Sequence, residues 1–145
     1  MLKRTLAAAA LCLIGAATVA SAQDYGHDRE AAMKKIGGSM GALSAIAKGE
    51  KPYDAETVKA SLTTVNETIK LFPTYFPAGS ETASDEASPK IWEDKAGFEA
   101  AAAKLAADSE TLLAQLPADQ AGVGAALGVL GKDCGACHQT YRLKK

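Results

Sequence analysis

In four segments of this chain apolar residues recur at alternating spacings of three and four, the stripe of a helix that buries one face in a bundle. The pattern is clearest late in the chain. There Val123, Leu127, Leu130, Cys134, Cys137 and Tyr141 follow at intervals of four, three, four, three and four. A first helix, over roughly Asp24 to Lys48, carries Met33, Ile36, Met40, Leu43 and Ala47, and Gly49 with Pro52 ends it. A second starts at Asp54, a side chain suited to N-capping, and carries Val58, Leu62, Val65, Ile69 and Phe72. Pro73, Pro77 and Gly79 then open a long loop to about Glu86. Ser88-Pro89 starts the third helix, with Ile91, Phe98, Leu105 and Leu112 seven apart behind it, and a break near Leu116-Pro117 ends it.

Composition agrees: the chain is rich in Ala, Leu, Lys and Glu and poor in aromatic or β-branched runs, so an all-α fold is expected. Short connections between helices one and two, and three and four, suit antiparallel neighbours. The expected architecture is an up-down-up-down four-helix bundle in one domain, residues 23–145. The residues before it read as an export signal: basic Lys3 and Arg4, an apolar stretch from Leu6 to Val19, and the small-residue box Ala20-Ser21-Ala22. Cleavage after Ala22 is expected, and the apolar run is short for a membrane span. Removing Lys3 and Arg4 leaves 14 basic residues against 17 acidic ones, a net charge of −3 that argues against a nucleic-acid partner. Cys12 leaves with the signal, so the exported chain keeps only Cys134 and Cys137.

Those two cysteines stand in Cys134-Gly135-Ala136-Cys137-His138, the CxxCH pattern of covalent haem c attachment. Two thiols three residues apart can form thioethers with the two vinyl groups of one haem, and the next residue offers the iron an imidazole. A dithiol redox pair or half a zinc site are the competing readings. The first belongs beside a βαβ pattern, which is missing here. The second needs further ligands, and only His27 is available, which reads as exposed ahead of the first helix's core stripe. Neither explains His138, one helical turn beyond Cys134 and directed to nearly the same face. Haem c is attached outside the bacterial cytoplasm, so motif and export signal point together to the periplasm. Asn66-Glu67-Thr68 matches a glycosylation sequon but falls inside a helix. No nucleophile triad, phosphate loop or second metal cluster emerges, so the haem carries the activity and no enzyme is expected.

The exported chain resembles, over its whole length, the class II c-type cytochromes, the family of cytochrome c′ and cytochrome c-556. The resemblance rests on the haem motif at the C-terminal end and on Arg29-Glu30-Ala31-Ala32-Met33 early in the first helix. It extends to Lys48-Gly49 with Pro52-Tyr53-Asp54, Leu71-Phe72-Pro73 with Phe76-Pro77, Ile91-Trp92, and Tyr141-Arg142. It implies that His138 is the proximal ligand, that Met33 holds the distal position, that Arg29 pairs with a haem propionate, and that Arg142 sits by the proximal imidazole. A thioether on the iron implies a six-coordinate electron carrier serving periplasmic redox proteins. The alternative is a five-coordinate haem that binds NO or CO, with Met33 a core methionine. Residue type does not separate the two. Phe72 and Phe76 are candidates for the distal pocket wall. A peroxidase-like site is disfavoured, because no distal His or Arg acid–base pair is apparent. Family members often pair as homodimers through their first two helices, which here contain enough Ala and Gly for close packing.

Overall fold

The computed structural model describes residues 24–144, so the export signal, its cleavage site and Cys12 lie outside the described residues. The helices are α1 (Tyr25–Ala47), α2 (Ala55–Leu71), α3 (Lys90–Glu93), α4 (Lys95–Ala114) and α5 (Gln120–Tyr141). A 3-10 turn, Phe72–Tyr75, follows α2. No strand occurs among the described residues, beyond a single bridge between Ala87 and Arg142.

Aspartate starts every long helix. Side-chain oxygens of Asp24, Asp54, Asp94 and Asp119 accept from the backbone N–H of His27, Thr57, Gly97 and Gly122 at 3.0, 2.9, 3.2 and 2.8 Å. Each satisfies a donor that the first turn leaves without an intrahelical partner and places negative charge at the positive helix end. Gly49 closes α1 at φ 73, a left-handed position that only glycine takes without strain.

The third helix departs from the sequence expectation. Ser88 Oγ does accept from Lys90 N–H at 3.2 Å, but the helix stops after one turn at Asp94 (φ −128, ψ 59) and restarts as α4. The reason is competition: the Asp94 carboxylate both caps α4 and accepts from Tyr141 Oη at 2.9 Å, which fixes it outside helical geometry.

Helix α1 packs on α2 and α5, and α4 packs on the same two, giving a closed ring of antiparallel neighbours. Leu43, Ile46, Val58, Leu62 and Val123 are buried at the end where α1 meets α2 and α4 meets α5. One polar link crosses this core, from Asn66 Nδ2 to Ala106 O at 2.8 Å and Ser109 Oγ at 3.0 Å. Phe98 is the centre of the other half, with Phe76 at 4.9 Å and Tyr141 at 5.4 Å between ring centroids. Ser88 N–H to Tyr141 O (3.1 Å) and Leu143 N–H to Glu86 O (2.9 Å) tie the long loop to the end of α5.

Candidate functional site

At that half the helices part around a cavity of about 720 Å³, within the range of ligand-holding clefts. Helix α5 brings Cys134, Cys137 and His138 to it, and α1 brings Arg29, Met33 and Met40. Phe72 and Phe76 line it, and Phe98 and Leu105 come from α4. The cysteines are half-buried free thiols packed against the core cluster. Burial, followed by the Asp133 charge, raises the Cys134 pKa, and burial raises that of Cys137. Each thiol is therefore held neutral.

His138 sits at the exposed rim of the cavity. Desolvation first, then the Arg142 charge, lowers its pKa, with Glu86 opposing. The imidazole is thus biased to the neutral form that a metal requires. Arg142 donates its backbone N–H to His138 O at 3.2 Å, and its Nη2 pairs with Glu86 Oε2 at 3.0 Å. The Arg142 guanidinium thus acts on His138 through its charge while it anchors the loop. His27 is exposed and lies away from the cavity lining.

Met33 and Met40 are half-buried, whereas Arg29, Ala32, Ile36, Leu43 and Ile46 form the fully buried stripe of α1. The two methionines thus flank the core stripe on the side that meets the cavity. From sequence Met40 reads only as core; its sharing of one helical face with Met33, seven residues earlier, is the signal for its place at the cavity.

Arg29 is 4% exposed. Its Nε donates to Tyr75 O at 2.9 Å, and its Nη2 to Ser80 O at 3.0 Å and Ser80 Oγ at 2.6 Å. The guanidinium carbon lies 4.1 Å from the Phe76 ring centroid and 5.4 Å from that of Trp92. Nη1 is buried with no hydrogen-bond partner. Desolvation lowers the Arg29 pKa and the Glu81 charge opposes it, but a guanidinium stays charged throughout.

These features fit a haem. Two thiols and an imidazole open onto one apolar cavity, the unpartnered N–H of a buried cation at its wall would satisfy a propionate, and Gly37 leaves the α1 wall without a side chain. The Cytochrome C' family matches residues 24–142, and the chain belongs to it. A cytochrome c-556 of Agrobacterium tumefaciens (strain II Chrys) is 65% identical over 117 residues, 81% of this chain and 95% of the relative. The solved cytochrome c' of Rhodopseudomonas palustris superposes with a TM-score of 0.79 at 37% identity, covering 85% of this chain and 98% of that one. A nitric oxide complex of a mutant cytochrome c prime from Alcaligenes xylosoxidans superposes at 0.74 with 30% identity, over 85% and 98% of the two chains. Proteins of this family carry covalently attached haem c with its iron and act as electron carriers or gas binders.

Proposed function

We propose that this chain is an exported, periplasmic electron carrier whose single domain, residues 23–145, binds haem c through Cys134 and Cys137. His138 is the proximal axial ligand and Met33 the distal one. The observation that carries this reading is the convergence of Met33 from α1 with Cys134, Cys137 and His138 from α5 on one apolar cavity. The haem supplies one-electron chemistry when bound. The chain supplies the rest. Cys134 and Cys137 would fix the macrocycle to α5, Arg29 would give its remaining N–H to a propionate, and the Arg142 charge would stand beside the imidazole that holds the iron. The apolar walls exclude water, which limits reorganisation as the iron changes charge. The exposed rim at His138 is where periplasmic redox proteins would dock. Gly38 and Gly41, with open space where a side chain would be, suit close pairing of two copies through α1 and α2.

The second reading is a five-coordinate haem that binds NO or CO. Its support is that Met33 is only half-buried beside apolar neighbours, which also describes a packing methionine, and that a structural relative has been captured with nitric oxide. The optical spectra of the ferric and ferrous holoprotein, before and after CO, decide between them. Met33 ligation predicts a low-spin haem with a weak far-red sulfur-to-iron band, unchanged by CO, and predicts that Met33→Ala becomes high-spin and CO-reactive. A wild-type spectrum that is already high-spin and shifts on CO overturns the ligation. The mass of the protein recovered from the periplasm checks cleavage after Ala22.

A further inference from the structure

Asp133 immediately precedes Cys134 in α5 and lines the same cavity. Its side chain is only 8% exposed, and its Oδ2 is buried without a hydrogen-bond partner. The facing helix α4 presents Lys104, whose Nζ lies 3.3 Å from Asp133 Oδ1 and 2.7 Å from Asp108 Oδ2. One ammonium therefore serves two carboxyls. Asp108, the more exposed and more closely paired of the two, is held below the ordinary carboxylate range by Lys104. Asp133 moves the other way: burial first, then the neighbouring Asp108 carboxyl, pushes it up, and Lys104 offsets only part of this. A structural ion pair would satisfy both oxygens of a buried carboxylate. This one leaves an oxygen buried and unmet, on a residue that lines the cavity.

Other charged groups face the same cavity. Across the cavity, α1 contributes Arg29, whose bonds go to the loop, and Glu30, paired with Lys34 at 2.6 Å in an exposed ion pair. The loop ahead of α3 contributes Asp85 and Glu86, the latter bonded to Arg142, and α5 itself adds His138 at the rim.

We propose that Asp133 is a potential-setting acid, whose carboxylate takes up a proton when the haem bonded to Cys134 is reduced and releases it on oxidation. The inference rests on the reading of Cys134 as a haem attachment. The balance is simple: one electron from the redox partner converts ferric to ferrous iron, and one proton from solvent converts the Asp133 carboxylate to the carboxylic acid. Reduction removes one positive charge from the site, so the ferrous protein binds that proton more tightly than the ferric one. The midpoint potential therefore falls as pH rises through the titration of Asp133 and levels off once the carboxyl is ionised in both states.

The test is a potentiometric titration of the holoprotein between about pH 4 and pH 8, paired with infrared difference spectra of the reduced and oxidised forms. The expected wild-type result is a sloping limb together with a protonated-carboxyl band that appears on reduction. Asp133→Asn, nearly isosteric and permanently neutral, loses both, and its potential at neutral pH lies above the wild type's. Lys104→Met, which leaves Asp133 in place but removes its cation, shifts the limb to higher pH. Covalent haem on a denaturing gel with limb and band intact in Asp133→Asn overturns this inference alone. A chain without covalent haem overturns the functional reading, and this inference with it.

Discussion

Gly97 has no room for a side chain: a Cβ there would overlap Tyr141 Oη and the Asp94 carboxylate. The three residues meet where α4 begins and α5 ends, so neither helix can move without breaking the Tyr141–Asp94 bond. Gly97→Ala should cost about 1–3 kcal/mol of unfolding free energy, the usual range for overpacking, measured by denaturant titration of the holoprotein. A loss no larger than that of an exposed helix substitution would show that Tyr141 can swing away. The same hydroxyl ties stability to alkaline pH. Burial first, then the Asp94 bond and charge, raises the Tyr141 pKa in the folded protein, while the unfolded chain titrates near the ordinary value of ~10. As pH rises, the unfolded state loses its proton first. The contribution of Tyr141 is thus complete below about pH 10 and disappears as pH climbs through its folded titration. Tyr141→Phe should be less stable at neutral pH by about one hydrogen bond, ~1 kcal/mol, yet lose less stability above pH ~10. Equal alkaline slopes in the two proteins would remove Tyr141 from the argument.

At the scale of elements, the aspartate caps differ in what else they hold. Asp119 accepts only the Gly122 N–H among the bonds found for its side chain, whereas Asp94 also accepts Tyr141 Oη. Asp119→Ala should cost about 1 kcal/mol, and Asp94→Ala about 1 kcal/mol more, with the difference vanishing in a Tyr141→Phe background. That double-mutant cycle, run by chemical denaturation, isolates the bond; an unchanged difference would assign it to the cap itself. Asp94 also shows what the sequence could and could not disclose. The stripe of α5, the stops at Gly49 and Pro52, the Asp54 cap and the haem motif are local signals, and each was legible from neighbours within a turn or two. The break at Asp94 was not, because an aspartate inside a seven-residue repeat looks like any solvated helix residue until Tyr141, 47 positions later, claims its oxygen. Arg29 is similar. Its place one turn before Met33 was legible, but its burial depends on Tyr75 and Ser80, 46 and 51 residues away. The Lys104–Asp108–Asp133 cluster joins two helices, so only the pair within α4 had a sequence signature.

For the molecule as a whole, the bundle divides into a dry end and a cavity end. Leu43, Ile46, Val58, Leu62 and Val123, none more than 2% exposed, fill the dry end with side chains of all the strands of helix that turn there except α4. Helix α4 joins that end through Ser109, itself fully buried and bonded to Asn66 of α2. At the cavity end, by contrast, α1 and α5 both contribute residues to the cavity wall. A group that binds only the native state stabilises it through the contacts it bridges, so haem loss should act unevenly. In a Cys134→Ser/Cys137→Ser chain, which cannot form the thioethers, the melting temperature should fall. Amide exchange should quicken most in the first half of α1, the loop across 72–89 and the last two turns of α5. Around Val58, Leu62 and Val65 it should remain slow, because that core needs no cofactor to be filled. Exchange mass spectrometry of the haem-bound and haem-free chains measures this directly. Uniform acceleration across all helices would mean that the two ends fold as one cooperative unit, with the haem stabilising the dry end as strongly as its own walls.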